Sequence, residues 1–328
     1  MENERRVRIA VIAMAVVFAL QFAVETILIG SVGLPLPRIR WVLSILTFSG
    51  LALVGALLGV IISALRREVR VHLAVLASWR WLATTAFLVA GTILLGVLYG
   101  LLKITVHMVR PIKYDAFFWE LDAALFFGNS PNVFLLELLS NPVVLRGFDW
   151  LYTFGFMGTM IASFLLMFGW RRNNERIGFL AGSAMLWLTG AWLYFALPSL
   201  GPAYAFYDIW DDVREYLPWT QATQNALLKN HLEALRLAAG EPNLPVSIHM
   251  GIGAFPSLHV AFLTYVAFWV QRLVPSLRLW GWLLVGVVFI GSVITGWHYL
   301  VDSIAGIGLA WIAWRAGAWV AGPRESRT

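Results

Sequence analysis

The sequence predicts an all-α integral membrane protein, a polytopic bundle of about eight transmembrane helices. Hydrophobic residues make up 60% of the chain and charged residues only 13%, a balance that excludes an ordinary soluble domain. Apolar runs of about 20 residues recur along the chain, and each could cross the hydrocarbon core as a helix. Histidines and an aspartate interrupt the last runs, and ionisable groups at membrane depth indicate a working site.

Eight apolar segments are interpreted as membrane spans. They are residues 7–29, 41–65, 81–102, 150–170, 177–197, 255–274, 279–297 and 299–321. The first follows three arginines, as the core of a signal peptide would, but its length favours an anchor that is not cleaved.

Basic residues predict the orientation of these spans. Most of the 24 lysines and arginines fall in short connections on the same side as the N-terminus. By the positive-inside rule, both termini are then cytoplasmic and the two histidines discussed below face the outside. The net charge of +6 therefore reflects topology, and we expect the bilayer as a partner and no nucleic acid. The chain has no cysteine, which excludes disulfides and thiolate metal sites.

Two outer segments are too long to be simple turns, and we name them the first and second cap segments. The first, residues 103–149, mixes acidic and aromatic side chains in a way that suits helices lying in the headgroup layer. The second, residues 198–254, contains an expected amphipathic helix near 219–239. Together they are expected to cover the site.

The most informative residues lie in the stretches Phe255–His259 and Thr295–Asp302. About 40 positions separate His259 from His298, which suits one helix crossing the membrane and a second one returning. Both imidazoles should therefore reach one face, within about 10 Å of each other. Asp302 lies four residues beyond His298 and is its neighbour if the helix has already begun. A carboxylate that orients a histidine and stabilises its cation is a catalytic arrangement.

Phosphate-binding groups are expected near these histidines. The segment 251–259 is typical of a turn that enters a helix, where free amides and the Ser257 hydroxyl could bind a phosphate. The alternative is an ordinary entry turn with an interfacial histidine. Lys103 and Arg110 lie two turns apart on one helical face and could hold a polyanion. The alternative for this pair is two basic side chains snorkelling at a helix end.

The remaining polar candidates are interpreted as structural. A cluster of three acidic residues in the second cap segment fits a solvated loop better than a cation site. Its members are Asp208, Asp211 and Asp212. Four further histidines have no partner at a useful spacing in the sequence: His72, His107, His231 and His249. We therefore expect no metal site.

These motifs resemble the three signature stretches of the type 2 phosphatidic acid phosphatase superfamily. The stretches are Lys103 with Arg110-Pro111, Pro256–His259, and His298 with Asp302. Leu258 stands where glycine is common, and Gly291-Ser292 stands where a serine-arginine pair is usual. Both departures, and the stretch from Asp115 to Gly128, are similar to the branch that contains inositol phosphorylceramide synthase and its bacterial relatives. The resemblance extends over roughly residues 100–320.

The resemblance implies phosphoryl transfer on lipids through a phosphohistidine, with no cofactor. His298, oriented by Asp302, would be the nucleophile, and His259 would act first as acid and then as base. Lys103, Arg110 and the amides near Ser257 would neutralise the phosphate. This implies three regions: N-terminal transmembrane helices at 1–80, a catalytic membrane domain with a six-helix core at 81–322, and a cytoplasmic tail at 323–328. It also favours a bacterial inner membrane.

Three functions remain open at this point. The first is a transferase that moves a phospho-headgroup from a phospholipid donor to a lipid alcohol. The second is a phosphatase that uses water on phosphatidic acid, phosphatidylglycerol phosphate or an isoprenoid pyrophosphate. The third is a transporter with a proton or ion relay through the same histidines, which would favour broken helices and inverted repeats that the sequence does not contain. The oligomeric state is left open.

Overall fold

The structure, a computed structural model, describes residues 2–34 and 41–323. Within these ranges it consists of α-helices and short 3₁₀ turns, with no strand, as the composition predicts. The α-helices are α1 (Glu2–Ser31), α2 (Trp41–Leu65), α3 (Val69–Leu76), α4 (Trp79–Val109), α5 (Asp115–Leu125), α6 (Pro131–Leu138), α7 (Pro142–Gly169), α8 (Asn173–Ala196), α9 (Pro202–Ala205), α10 (Pro218–Ala238), α11 (Leu258–Leu273), α12 (Arg278–Ile294) and α13 (Leu300–Ala321). The tail predicted at 323–328 lies outside the described residues, except for Pro323.

Seven helices within the described ranges are long and apolar enough to cross a membrane. They are α1, α2, α4, α7, α8, α12 with the turn before it, and α13, and they match seven of the eight predicted spans. The span predicted at 255–274 differs, because α11 has only 16 residues and is about 24 Å long. The helix cannot begin before the proline turn at Pro256, and the turn at Pro275 follows its end.

The first cap segment is shorter than the sequence predicts. Helix α4 continues to Val109, and α7 begins at Pro142 instead of near 150, so the connection between them is residues 110–141. Asn141 caps α7 by accepting hydrogen bonds from the amides of Val143 and Val144, and proline is favoured at the first helical position. The charges of Arg146 and Asp149 hide this helix start from a search for apolar runs.

Helix α11 lies at the centre of the bundle, where it packs against α8, α12, α13 and α7. Small residues allow the surrounding helices to come close. A Cβ on Gly317 of α13 would lie 2.5 Å from the carbonyl oxygen of Gly178 in α8. Such close approach at small residues is typical of helices that associate in membranes, and it fixes α13 against the bundle.

The cap segments pack over the end of the bundle where α11 and α13 begin. In the first cap segment, α5 contacts α13 and α6 contacts α12. In the second, α10 confirms the helix expected near 219–239 and is anchored on α7. The carboxylate of Asp149 accepts hydrogen bonds from the amides of Trp219 and Thr220 at distances of 2.9 and 2.7 Å. These contacts place both cap segments around the segments that carry the two histidines.

Candidate active site

The structure brings the two predicted histidines into direct contact. His259 is the second residue of α11, and His298 lies in the connection between α12 and α13. The Nδ1 atom of His259 is 3.3 Å from the Nε2 atom of His298. The prediction that the two rings lie within about 10 Å of each other is therefore confirmed. His298 is buried, whereas His259 remains partly exposed.

The other nitrogen of His298 faces two oxygen atoms. Its Nδ1 lies 2.9 Å from the carbonyl oxygen of Ala254 and 3.4 Å from Oδ2 of Asp302. Helix α13 begins only at Leu300, so the two residues are not helical neighbours as the sequence suggested; the turn before α13 brings them together. Because a carbonyl only accepts hydrogen bonds, Nδ1 carries the hydrogen. The lone pair of Nε2 is then available towards His259.

The pKa of His298 supports this neutral form. Burial is the main cause that lowers the pKa of His298 to about 3; the hydrogen bond to the Ala254 carbonyl opposes the shift and the positive charge of Lys103 adds to it. The imidazole is therefore unprotonated on Nε2 at physiological pH, which is the form a nucleophile needs.

Asp302 is enclosed and linked to a second buried acid. Its Oδ2 accepts a hydrogen bond from the Tyr299 amide at 3.0 Å, while its Oδ1 is buried without a hydrogen-bond partner. The Tyr299 hydroxyl donates to Oδ1 of Asp115 at 2.9 Å. Asp115 also accepts hydrogen bonds from the amides of Leu200 and Gly201. One carboxylate thus ties the His298 region to the start of the second cap segment.

Asp122, which the sequence singled out only by resemblance, caps α13. Its carboxylate oxygens accept hydrogen bonds from the amides of Leu300 and Val301 at 2.5 and 2.9 Å. Burial raises the pKa of Asp122 to about 6, and the hydrogen bonds from the two backbone amides oppose this shift. A carboxylate at a helix start also interacts favourably with the helix dipole. Asp122 therefore fixes the point at which α13 leaves the site.

Groups from both cap segments hold the connection that carries His298. Side chains and one backbone amide donate hydrogen bonds to successive carbonyl oxygens of residues 293–298. The bonds are Asn132 to Val293 and His298, Trp210 to Ile294, Gln224 to Thr295, and the Ala203 amide to Gly296. Gly296 has φ of +73°, and a Cβ there would lie 2.7 Å from the Trp210 ring. Sequence reasoning missed these groups, because they act on backbone atoms.

Aromatic rings surround the partly exposed His259. The ring centroid of Phe156 lies 4.5 Å from that of His259, that of Tyr152 lies at 5.4 Å and that of Trp297 at 6.4 Å. Tyr152 and Phe156 both belong to α7. The surroundings of His259 are therefore mainly apolar.

The structure brings Lys103 to the site but gives Arg110 no contact there. The ammonium of Lys103 lies 5.6 Å from the centre of the Tyr99 ring and 5.1 Å from that of Tyr194, and its charge acts on His298. Arg110 is the C-terminal cap of α4. Within the described ranges its side chain is partly buried and has no recorded hydrogen bond or ion pair. The two basic residues are therefore not equivalent.

Ser257 lies inside the site, and most of its polar groups already bond within the protein. Its amide donates to the carbonyl oxygen of Asp302 at 2.9 Å, and its hydroxyl caps α11 by accepting from the Val260 amide. The amides of Leu258 and His259 have no backbone partner in the described part of the chain. These two amides, together with the hydrogen of the Ser257 hydroxyl, are the donors that the start of α11 offers to an anion.

Two of the histidines interpreted as structural, His107 and His231, contact each other although they are far apart in the sequence. Their ring centroids lie 5.3 Å apart in an edge-to-face arrangement, which joins α10 to α4. Both ring nitrogens of His107 are enclosed without a hydrogen-bond partner. In the described residues, no group of three or more His, Asp or Glu side chains is arranged to hold a metal ion. Asp211 instead pairs with Arg214 at 3.2 Å.

Replacing Asp302 by Asn should lower the rate of a reaction at His298 without changing the fold. The Ala254 carbonyl still holds the hydrogen on Nδ1, so the tautomer survives and only the charge that stabilises the His298 cation is lost. Loss of one such electrostatic contact costs on the order of 10²–10³ in rate. Steady-state kinetics and thermal unfolding in detergent check this expectation. An unchanged rate would show that Asp302 serves only the packing of α13.

Comparison with protein families agrees with this geometry. Residues 116–316 match the model described as the PAP2 superfamily, the type 2 phosphatidic acid phosphatases. This range contains His259, His298 and Asp302, whereas Lys103 and Arg110 precede it. No curated protein and no solved structure matches the chain. Because the matched range covers more than half of the 328 residues, the chain belongs to the PAP2 superfamily.

Proposed function

We propose that the protein transfers a phosphoryl group or phospho-headgroup on lipids through a phosphohistidine at His298. The superfamily comprises phosphatases and phosphotransferases, which supports an enzyme of this general type. The observation that carries the proposal is the state of His298. Its Nδ1 faces the carbonyl oxygen of Ala254 and the carboxylate of Asp302. Its Nε2 atom lies 3.3 Å from the Nδ1 atom of the second histidine, His259.

The first step forms the covalent intermediate. The Nε2 lone pair of His298 attacks phosphorus in line, the bond from phosphorus to the leaving oxygen breaks, and His259 donates a proton to that oxygen. Asp302 stabilises the positive charge that develops on the His298 ring. A distance of 3.3 Å leaves no room for a phosphoryl group between the two rings. The contact between His259 and His298 therefore has to open when the substrate binds.

The second step returns the enzyme to its first state. His259, now neutral, removes a proton from an incoming lipid alcohol or water molecule. The oxygen of that acceptor bonds to phosphorus, and the bond between phosphorus and Nε2 of His298 breaks. With a lipid alcohol the product is a new phospholipid; with water it is free phosphate after phosphoryl transfer, or the free phosphorylated headgroup after headgroup transfer.

Positive charge at the reacting phosphate comes first from Lys103. Its charge already acts on His298, and the free amides of Leu258 and His259 provide further donors. Ser257 supports these amides by capping α11. Arg110 lies seven residues later on α4, about 10 Å further along the helix. It would therefore meet the distal part of a headgroup rather than the reacting phosphate.

The finer assignment, a transferase similar to inositol phosphorylceramide synthase, is supported by Ser292. This residue stands where the superfamily usually has an arginine, and it is buried with its hydroxyl 3.0 Å from that of Ser303. The position supplies no cation. A phosphodiester carries one negative charge fewer than a phosphate monoester and needs less compensation. The preferred donor should therefore be a phosphodiester lipid, and the acceptor a lipid alcohol beneath the cap segments.

The location follows from the distribution of charge. Placing the N-terminus in the cytoplasm puts Arg66, Arg67 and Arg70 on the cytoplasmic side, in the connection after α2. The cap segments, His259 and His298 then lie at the extracytoplasmic surface. We propose a multi-pass protein of a bacterial inner membrane with an outward-facing site. We also propose residues 1–80 as helices outside the catalytic domain at 81–322.

The experiment that tests the activity measures donor and acceptor together. Purified protein in lipid vesicles is incubated with phosphate-labelled phosphodiester and phosphomonoester lipids, with and without a lipid alcohol, and every labelled product is identified. We expect headgroup transfer to the alcohol to exceed release of free phosphate. Faster release of phosphate from the monoester would instead assign a lipid phosphatase. Ion or proton flux without any labelled product would support the transporter.

A further inference from the structure

Asn132, in the first turn of α6, bridges the two ends of the connection that carries His298. Its Nδ2 donates one hydrogen bond to the Val293 carbonyl at 2.7 Å and one to the His298 carbonyl at 3.2 Å. The side chain is fully buried. In the described part of the chain, Asn132 is the side chain that bonds the backbone carbonyl of the nucleophile itself.

The orientation of the Asn132 amide is determined by its partners. Both neighbours are carbonyl oxygens, which only accept hydrogen bonds, so the NH₂ group must face them. The Oδ1 atom of Asn132 is left buried with no hydrogen-bond partner. Buried acceptors without partners are rare, and each one requires an explanation. Here the explanation is that the NH₂ group of Asn132 donates both its hydrogen bonds to the segment that carries His298, which leaves Oδ1 without a donor.

The helix that carries Asn132 is itself held firmly. Ser130 caps α6 through the amide of Val133, and Pro131 occupies its first position. Leu136 of the same helix belongs to a buried apolar cluster that includes Ile294, next to the His298 connection. Asn132 is therefore attached to an element whose position does not depend on the connection that it holds.

The bonds of the other cap residues differ from those of Asn132. Trp210, Gln224 and the Ala203 amide each bond one carbonyl oxygen within the turn. Asn132 instead joins the end of α12 to the backbone of His298, so it limits rotation of that backbone. Rotation there would move Nε2 away from the line of attack, and misplacement by about 1 Å can cost on the order of 10²-fold in rate.

We propose that Asn132 is a positioning residue for His298, which holds the imidazole in the orientation needed for attack on phosphorus. The inference rests on the proposed phosphohistidine mechanism. Asn132 touches no reacting atom, so its effect should appear in the rate constant of the covalent step. Substrate binding, to which Asn132 makes no contribution, should not change.

Two variants remove the amide donors in different ways. Asn132→Leu keeps the approximate size of the side chain without polar atoms, and Asn132→Asp keeps its shape while replacing the NH₂ group by oxygen. Asn129→Asp is the matched control, since the same chemical change is made three residues earlier at an exposed position. Each protein is mixed rapidly with phosphate-labelled lipid in detergent and quenched, and covalent label is followed over time. The lipid concentration that gives half-maximal labelling rate is also measured.

We expect both Asn132 variants to label with a rate constant about 10²-fold lower than the unmodified protein. The final amount of label and the half-saturating lipid concentration should be unchanged, and Asn129→Asp should match the unmodified protein. A loss seen only as a smaller final amount of label would show a role in folding alone and overturn the proposal. An unchanged rate constant, or failure of both variants to fold, would also overturn it. If the unmodified protein acquires no label, the proposed function itself is wrong. Labelling of the unmodified protein therefore tests the proposed function separately from the role of Asn132.

Discussion

Replacing His298 by Ala should abolish covalent labelling by phosphate-labelled lipid and lower turnover on the order of 10⁶-fold, as loss of a covalent nucleophile does elsewhere. The reason is that Nε2 of His298 has no substitute nearby. The second imidazole, that of His259, lies within 3.3 Å, but its own Nδ1 faces His298 rather than a carboxylate or carbonyl that would orient it for attack.

The labelling experiment has a matched control in another histidine. His249→Ala makes the same change at an exposed position in the second cap segment, and labelling should persist there. Acid-labile and base-stable label on the unmodified protein would identify a phosphoramidate bond to histidine. Stable label on the His298→Ala protein would contradict the assignment of the nucleophile and would direct attention to His259.

Hydropathy predicted most of the membrane helices because a span must be long and apolar throughout. It was wrong in length for α11, which has 16 residues. The structure buries α11 among other helices, so its apolar side chains face protein rather than lipid. The start of α7 was missed for the opposite reason: Arg146 and Asp149 interrupt an apolar run although the chain is already helical.

The proposed reacting groups stand out in the sequence because a titratable side chain within an apolar run is conspicuous. His259, His298 and Asp302 all met that criterion. Ala254 could not be predicted, since it acts through a carbonyl oxygen that every residue possesses. Asn132 offered only a weak signal, a single amide side chain among the apolar residues of α6. The contact between His107 and His231 depends on how α10 packs against α4, and the spacing of residues in the sequence does not indicate that packing.

The cap segments have a role that their composition did not suggest. From the sequence they were expected to cover the site. In the structure, Asp122 fixes the start of α13, and Trp210 and Gln224 hold the turn before it. The connection that carries His298, the proposed nucleophile, is therefore held by residues outside the helices that flank it. Changes in the cap segments should alter the rate of the covalent step as well as the choice of acceptor.

Replacing His259 by Ala should separate substrates by the quality of their leaving group. For a lipid donor the departing alkoxide needs a proton, and loss of a general acid costs on the order of 10²–10⁴ in rate. A nitrophenyl ester of phosphate releases a stable phenolate that needs no proton, so labelling of His298 by this substrate should remain close to normal. Because His259 is also the proposed base of the second step, the labelled enzyme should then accumulate and decay slowly.

The two substrates provide the control for each other within one protein. A purely structural defect would lower both labelling rates by the same factor, since both depend on the same His298. We therefore expect the ratio of the nitrophenyl rate to the lipid rate to rise on the order of 10²–10⁴-fold in the His259→Ala protein. Rapid-quench labelling with each substrate measures this ratio. Equal losses would mean that His259 does not protonate the leaving group, and that its contact with His298 at 3.3 Å serves only to hold the nucleophile.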